Sequence, residues 1–414
     1  MKAGVLLAVT AAALDEELRL RRTLLRSYHQ GIRPRASIIN ISVNLRFFTL
    51  LYMEQQEENM VFSGDFEMMW TDNSLVWNPA QYEGLDNIHV YEKHLWTPDV
   101  TVYNSVSLQP VIDDDRRLTT VTSDGTVQIS NPTTYTVRCK LNIAKFPSDR
   151  QQCKVKLSSW VYTEDELDLS PPLAEFNLTG VEYQGNSEWE VTSLSVGTVL
   201  TEDTDGKKFQ ELHYTVELSR HSTYYVYVLF LPTFITTALC LVGLFTPFNN
   251  VGDRVERTTL GLTTLLSLAV ILNIIGSGIP KSSVLPQLAT YVLAEILLCC
   301  LGVLVTVILL VAHQRIRTRK LFLPLLPTNR NWSKSEPNSL GIRTLNSGGT
   351  LTKTRKEVDE VEELLRSITD ELKRMKTREE FHLHWIKIFD VVDVILLILF
   401  QIANIVLSIC YLFI

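Results

Sequence analysis

Four long apolar runs in the second half of the chain constrain its fold more than any other sequence feature. They cover residues 222–252, 258–280, 282–312 and 394–414, and Glu295 is the only charged residue inside them. A helix of about 20 apolar residues spans the roughly 30 Å hydrocarbon core of a bilayer. Helices buried in a soluble core seldom run this far without a charge. The sequence therefore predicts four transmembrane helices.

Basic residues predict how these helices are oriented. Four of them lie within residues 315–320, whereas the link before the third run carries only Lys281. The positive-inside rule then makes residues 313–386 cytoplasmic and places both termini outside the plasma membrane. Residues 1–14 resemble a short signal peptide, which agrees with export of the first half. A native amino-terminal helix is the alternative there, and a helix is also predicted over residues 15–36.

The exported half is predicted to be an antiparallel β-sandwich over residues 37–221. Apolar and polar residues alternate from Ile39 to Phe47, and similar alternation recurs around Phe66, Tyr135 and Tyr214. Such alternation is typical of half-buried strands, and many short strands separated by turn residues indicate a sandwich. The chain has 46 acidic against 39 basic residues, which disfavours a nucleic-acid partner.

Cysteines and sequons predict how the exported domain is modified. Cys139 and Cys153 lie in it, whereas the other four cysteines lie in the apolar runs. An exported domain with two cysteines most simply joins them, and closing a loop of about 15 residues contributes about 3 kcal/mol. Asn40 and Asn177 begin Asn-x-Ser/Thr sequons and are predicted glycosylation sites.

Several motifs give the chain a family resemblance. The segment from Cys139 to Cys153, followed by four apolar runs, resembles the Cys-loop family of pentameric ligand-gated ion channels, on its nicotinic and serotonin-gated side. Trp70-Thr71-Asp72, Trp96-Thr97-Pro98-Asp99, Ser159-Trp160 and Leu265-Leu266-Ser267-Leu268 also match it.

The resemblance implies a multidomain membrane protein. The sequence has no nucleophile elbow, P-loop or zinc signature, so no enzymatic activity, cofactor or metal is expected. Its expected parts are an extracellular ligand-binding β-sandwich, transmembrane helices within 222–312, a cytoplasmic segment and a last transmembrane helix at 387–414. The second transmembrane helix, at about 256–278, would line the pore. Expected partners are identical or related subunits in a pentamer, a small-molecule agonist, permeant cations and membrane lipid. An accessory subunit that binds no agonist and supports other subunits structurally is the alternative function.

Strand parity selects candidate agonist residues independently of the resemblance. In each of their segments, alternation places Tyr103, Trp160 and Phe209 on the strand face that carries the polar residues. Three aromatic side chains on solvent-facing strand surfaces can form a cage for a cation. The resemblance places all three at the agonist site between subunits. Asp65 stands where relatives carry an aromatic residue of the neighbouring subunit. It is interpreted either as an acid that attracts an amine or as a solvated strand residue.

Polar residues form one stripe along the second apolar run. The spacings of four and three residues place them on a single helical face, which is predicted to meet water. Two apolar members interrupt the stripe at mid-membrane, where they can close a pore by dewetting. The predicted pore-lining residues are Thr259, Thr263, Leu266, Val270, Asn273 and Ser277. Glu256, or alternatively Asp253, is expected to form an acidic ring that selects cations.

Two further predictions concern gating and the cytoplasmic segment. By resemblance, coupling between agonist site and pore involves Glu57, Glu58, Phe146, Pro147, Asp149, Arg220 and Pro280. Arg220 is expected to pair with one of these acids. A heptad pattern between Val358 and Met375 predicts a helix over about 354–386 that runs into the fourth crossing.

Overall fold

The chain forms two compact units. The computed structural model describes residues 16–34, 37–171, 176, 178, 182–246, 253–319 and 350–413. The first unit comprises the described residues up to Phe230 together with Leu272–Thr290, and the second comprises Leu231–Ile271 and the described residues from Tyr291 onwards. The signal peptide at 1–14 and the sequon at Asn177 lie outside the described residues and stay predictions.

The described part of the first unit is built from strands that follow a short helix, α1, at residues 16–25. The strands are β1 (Ile39–Glu54), β2 (Asn59–Thr71), β3 (Asn87–Tyr91), β4 (Val100–Val102), β5 (Ser105–Pro110), β6 (Leu118–Thr122), β7 (Thr126–Ile129), β8 (Pro132–Arg138), β9 (Arg150–Ser159), β10 (Leu167–Ser170), β11 (Tyr183–Gln184), β12 (Trp189–Glu202) and β13 (Lys208–Arg220).

These strands form two sheets, which confirms the predicted sandwich. The larger sheet has the order β10–β1–β2–β7–β6–β3, with β8 between β2 and β5 and with β11 on β1, and the smaller has the order β12–β13–β9–β4. Most pairs are antiparallel, but β1 pairs in parallel with β10 and β11. The sheets meet where the Phe66 and Tyr214 rings lie 5.2 Å apart and the Tyr214 hydroxyl donates to the Val43 carbonyl at 2.8 Å.

Alternation places the apolar side chains between the sheets. In β13 the alternate residues Leu212, Tyr214, Val216 and Leu218 are each 0% exposed, as the sequence pattern predicts. In β1 the pattern breaks after Leu45, because a register shift against β2 puts Phe48 rather than Phe47 into the core. Such a bulge adds one residue to one strand, and alternation alone does not reveal it.

The predicted disulfide is confirmed. Cys139 and Cys153 are bonded, and both are buried at the edge of the sandwich. The Gln151 side chain braces the enclosed loop, because it accepts a hydrogen bond from the Asn142 amide at 2.8 Å and donates to the Asn142 carbonyl at 3.0 Å.

Four helices are long and apolar enough to cross a membrane in the described residues. These segments are Thr223–Phe245, Arg257–Gly278, Gln287–Arg315 and His384–Phe413. The helices that contain them are α2 (Thr223–Phe245, with a π-helical turn at Val226–Phe230), α3 (Asp253–Gly278), α4 (Gln287–Arg319) and α5 (Thr350–Phe413). The four predicted runs therefore correspond to four helices.

Small residues bring the helices of the second unit close together. A Cβ atom on Gly261 of α3 would lie 2.4 Å from a Val303 methyl group of α4, so a side chain there would push the two helices apart. Buried apolar residues of α2, α3 and α4 form one core, which includes Leu244, Leu268 and Cys299. The Phe245 and Phe400 rings stack at 5.1 Å and add α5 to this core.

Helix α5 is continuous from the heptad pattern into the fourth apolar run. Its 64 residues correspond to about 95 Å of helix. The described heptad side chains are exposed in the single chain, at 50% to 58% for Val361, Leu365, Ile368, Leu372 and Met375.

Candidate functional site

The three aromatic residues that parity singled out line one cavity. Tyr103 follows β4, Trp160 follows β9 and Phe209 lies in β13. Their side chains surround a cavity of about 330 Å³, whose other lining residues are Ser158, Ser159, Thr201, Glu202, Asp203 and Glu211. The structure therefore brings together residues that are far apart in the sequence.

Strand pairing in the smaller sheet explains why they meet. Leu157 of β9 lies opposite Val102 of β4 on one side and opposite Leu212 of β13 on the other. The next residues along these strands are therefore neighbours, and Glu211 pairs with Ser158. The cavity lies where the three strands end or leave the sheet.

Asp99 holds the tryptophan loop in place. Its carboxylate accepts hydrogen bonds from the Ser159 hydroxyl at 2.5 Å, the Trp160 amide at 2.9 Å and the Val161 amide at 2.8 Å. These bonds fix the backbone, so the indole projects outwards and is 69% exposed in the single chain. A large aromatic side chain held in water by a rigid loop is typical of a binding surface.

A buried carboxylate forms one wall of the cavity. Glu211 is 8% exposed and accepts hydrogen bonds from the Tyr103 hydroxyl at 2.6 Å and the Thr201 hydroxyl at 2.8 Å. The Nε2 atom of His213 lies 2.6 Å from the same carboxylate. Burial raises the pKa of Glu211, but the hydrogen bonds from His213, Tyr103 and Thr201 together outweigh it and hold the pKa below its ordinary value. The carboxylate is therefore ionised at neutral pH.

Sequence reasoning missed Glu211 as a site residue. It shares the parity of Phe209, and that parity is the one signal that pointed to the cavity face. A glutamate on a wet strand face is ordinarily solvated. Its burial follows from the pairing of β13 with β9, which joins residues more than 50 positions apart and leaves no trace in the local pattern.

The interpretation of Asp65 as a solvated strand residue is wrong. Asp65 is 2% exposed, and its carboxylate accepts hydrogen bonds from the Ser130 hydroxyl at 2.6 Å and the Asn131 amide at 2.8 Å. Arg46 lies 3.7 Å from the same carboxylate. Residues of both parities are buried in most of β2, so both of its faces are covered, whereas alternation assumes one wet face. Asp65 does not line the aromatic cavity of its own chain.

The stripe predicted to line a pore is exposed along α3. Leu266 is 67% and Val270 is 52% exposed, whereas Leu268 and Ile275 on the opposite face are buried. The remaining stripe residues are also exposed in the single chain, namely Thr259, Thr263, Asn273 and Ser277. Asp253 and Glu256 both lie in the first turn of α3, and the choice between them stays open.

Two family models cover most of the chain. Residues 17–222 match the neurotransmitter-gated ion-channel ligand binding domain, and residues 229–328 match the neurotransmitter-gated ion-channel transmembrane region. The chain belongs to the neurotransmitter-gated ion channel family. It is therefore a membrane-spanning receptor subunit with a Cys-loop, and its family is not enzymatic.

Individual channel subunits of the nematode Caenorhabditis elegans are similar to the chain. The proton-gated ion channel subunit pbo-6 is 30% identical over 301 residues, which cover 72% of this chain and 69% of pbo-6. The acetylcholine receptor subunit des-2 is 27% identical, with coverage of 75% and 60%, and the betaine receptor acr-23 is 27% identical, with coverage of 70% and 57%.

A buried charge cluster occupies the region where this channel subunit was predicted to couple binding to opening. The Arg220 side chain is 0% exposed, and its Nε atom donates to Asp149 at 2.7 Å. Arg220 also pairs with Glu188, and its guanidinium lies 4.1 Å from the Trp189 ring centre. The structure thus selects Asp149 as the predicted acidic partner and adds Glu188, which sequence reasoning missed.

Aromatic and loop residues surround this cluster. The Phe146 ring lies 4.9 Å from both the Arg220 guanidinium and the Tyr225 ring. The carbonyl of Phe146, which precedes Pro147, accepts a hydrogen bond from the Leu288 amide at 3.3 Å. The disulfide loop is therefore bound directly to the segment that follows α3.

The other predicted coupling residues lie apart from Arg220. Glu57 is exposed at the tip of the β1–β2 hairpin, and the carbonyl of Glu58 accepts from the Cys139 amide at 2.7 Å. Next to them, Gln56 donates to the carbonyl of Ser277 at the end of α3. Pro280 follows α3, and its carbonyl accepts from the Ser282 amide at 2.8 Å.

Modification and metal predictions concern the remaining sites. Asn40 is exposed near the start of β1, so its side chain is accessible to a glycan. Within the described ranges, no group of three or more histidine, cysteine, aspartate or glutamate side chains is arranged to hold a metal ion.

Proposed function

We propose that the chain is a subunit of a pentameric, cation-selective channel of the plasma membrane, opened by a small extracellular amine. The observation that carries this proposal is the cavity in which Tyr103, Trp160 and Phe209 surround the ionised carboxylate of Glu211. Aromatic faces attract an ammonium group through their quadrupoles, by about 0.5 to 2 kcal/mol each. A buried anion adds a full opposite charge where water is scarce.

The ligand class is an amine rather than acetylcholine specifically. The hairpin that closes the cavity, residues 201–209, has neither the adjacent cysteine pair nor the first aromatic residue of acetylcholine-binding relatives, so Thr201 and Glu202 stand there instead. Relatives named for acetylcholine and for betaine are about equally similar to the chain. Both compounds carry a quaternary ammonium group, which is the feature that an aromatic cage with a carboxylate recognises.

A second subunit completes the site in this proposal. Trp160 is 69% exposed in the single chain, so a cation on its outer face would remain hydrated. A neighbouring copy would exclude water and strengthen the attraction. Cation selectivity follows from the acidic first turn of α3, which holds Asp253 and Glu256 at one end of the polar stripe.

Protons are a second candidate agonist. The Nε2 atom of His213 lies 2.6 Å from Glu211, so a histidine is bonded to a carboxylate that lines the cavity. The relative pbo-6 is named a subunit of a proton-gated channel. Protonation of His213 would place a positive charge beside Glu211 without any organic ligand.

Voltage-clamp recording of the chain expressed alone tests these proposals. We expect inward current in response to a member of a panel of amines, amino acids and protons. Trp160→Leu should raise the half-maximal amine concentration at least tenfold, since it removes one cation–π face and its packing. Val161→Ala is the matched control, because Val161 is equally exposed and adjacent. Equal effects of both variants would contradict the aromatic site.

Silent receptors would also be informative. If pentamers reach the surface but no ligand or pH step evokes current, the accessory role gains support. The intact stripe of α3 argues against a non-conducting subunit, because a continuous polar face is what lines a water-filled channel.

A further inference from the structure

Three polar side chains are buried inside the membrane-spanning helices, where the proposed function does not use them. Glu295 of α4, Asn404 of α5 and Thr237 of α2 are each 0% exposed. All three lie in segments apolar enough to cross a bilayer. Ionisable residues in such segments are costly and are commonly functional.

Helix packing brings the three residues to one place. Contacts between Tyr291 and Ser408 (3.1 Å between hydroxyls) and between the His313 and Phe389 rings (5.3 Å) show that α4 and α5 run antiparallel. Glu295 lies one turn after Tyr291, and Asn404 lies one turn before Ser408, so the two residues are at the same level.

Helix α2 packs beside α4 and α5 at the height of Glu295 and Asn404. The Thr237 hydroxyl lies beside the Glu295 carboxyl group, as does that of Tyr291. The side chain of Gln401 donates to the Ala238 carbonyl at 2.8 Å, which binds α5 to α2 one turn along from Asn404.

The buried polar atoms at this height lack well-placed hydrogen-bond partners in the described part of the protein. Among the described residues, neither carboxylate oxygen of Glu295, neither amide atom of Asn404 nor the Thr237 hydroxyl has a partner in good hydrogen-bond geometry, although the Thr237 and Tyr291 hydroxyls lie close to the Glu295 carboxyl group. Buried polar groups are nearly always satisfied, and hydrocarbon offers no water to replace a missing partner. The unsatisfied set is dominated by oxygen acceptors and includes one acid with no described basic residue in an ion pair with it.

We propose that Glu295, Asn404 and Thr237 form a binding site for a small cation inside the transmembrane bundle of one subunit. Carboxylate, amide carbonyl and hydroxyl oxygens are the ligands that hard cations prefer. The cation is a sodium ion held by these oxygens. It neutralises the acid and gives the carboxylate, amide and hydroxyl oxygens a shared partner.

The other titratable groups packed around this site are tyrosine and cysteine side chains. Tyr291 and Cys299 lie on α4, Cys240 lies on α2, and Tyr411 of α5 stacks on Tyr291 at 4.9 Å. On α3, the neighbour of Cys240 is the Thr264 hydroxyl, which does not titrate. A dependence on cation or pH that is lost with Glu295 is therefore assigned to its carboxyl group.

Thermal unfolding of the purified full-length chain in lipid nanodiscs tests the proposal without any agonist. Sodium is raised from 1 to 150 mM at constant ionic strength, balanced with N-methylglucamine, and a parallel series varies pH from 5 to 8. We expect the melting temperature of the wild type to rise by at least about 2 °C along the sodium series. Glu295→Gln should abolish that rise, whereas Glu371→Gln on the exposed surface of α5 should retain it.

A second readout uses the wild-type chain in case the variant does not fold. Dicyclohexylcarbodiimide modifies carboxyl groups that are protonated and shielded from water, and peptide mapping locates the adduct. Sodium that protects Glu295 from the reagent supports the proposal. Labelling of Glu295 that follows pH but ignores sodium, or a Glu295→Gln variant with the wild-type sodium dependence, overturns it. Neither result depends on whether the channel opens to an amine.

Discussion

Arg220 shows how much a single buried charge demands of its neighbours. Burial lowers the pKa of Arg220, but the hydrogen bond and charge of Asp149 and the charge of Glu188 outweigh it and raise the pKa above its ordinary value. Removing one partner of a buried pair typically costs about 3 to 5 kcal/mol, because the remaining charge is uncompensated. We expect Asp149→Asn to lower the free energy of unfolding by an amount near the lower end of this range, because Glu188 still pairs with Arg220.

This cost gives a stability prediction. Asp149→Asn should lower the melting temperature of the purified chain by about 6 to 12 °C. Asp115→Asn is the control, because Asp115 is 88% exposed and pairs with Lys93 only at the surface. A control shift as large as that of Asp149→Asn would contradict the assignment of the charge cluster to stability.

Glu211 gives a prediction about pH. Because its pKa is lower in the folded chain than in the unfolded chain, its stabilising effect is complete above its ordinary value of 4.5 and is lost as pH falls through the folded value. The melting temperature of the wild type should therefore exceed that of Glu211→Gln at pH 6, and the difference should shrink below pH of about 4. The control is Glu202→Gln, which changes an exposed acid of the same cavity. Its melting temperature should stay close to that of the wild type at both pH values.

At the scale of elements, the pore helix has one face that should control opening. Leu266 and Val270 are exposed apolar residues in a polar stripe, and a ring of such side chains resists wetting. Leu266→Thr should wet the constriction and should either lower the half-maximal agonist concentration about tenfold or produce a leak current. Leu260→Thr is the matched control, because Leu260 packs against Gly243 of α2 and lies off the stripe. Voltage-clamp recording measures both variants, and an equal gain of function in the control would refute the gate.

Elements also show where sequence reasoning succeeds and where it fails. Parity identified Tyr103, Trp160 and Phe209, because each lies on or beside a strand with one covered face. It failed at Asp65, because both faces of β2 are buried and the Ser130 and Asn131 groups bond the carboxylate. It did not select Glu211, whose partners Tyr103 and Thr201 are brought to it by strand pairing. Local patterns predict elements well, whereas burial of a polar residue depends on which distant strands become neighbours.

At the scale of the whole molecule, several exposed features share one explanation. Trp160, the stripe of α3 and the heptad residues of α5 are all exposed in a single chain, and monomeric proteins rarely leave such surfaces in water. Other copies of the chain would cover Trp160, close the stripe into a channel and pack the heptads. The proposed pentamer therefore accounts for three surfaces that belong to different parts of the chain.

Assembly also multiplies the effect of each acid near the pore. In the proposed pentamer a single substitution in the first turn of α3 changes five charges at once, and a ring of five acids lowers the energy of entering cations and repels anions. The reversal potential of the wild type should therefore follow extracellular sodium and ignore chloride. Two variants are compared, Glu256→Gln and Asp253→Asn. The variant that removes the acidic ring should reduce single-channel conductance several-fold, and the other variant is the control. A reversal potential that tracks chloride, or unchanged conductance in both variants, would mean that neither acid selects the permeant ion.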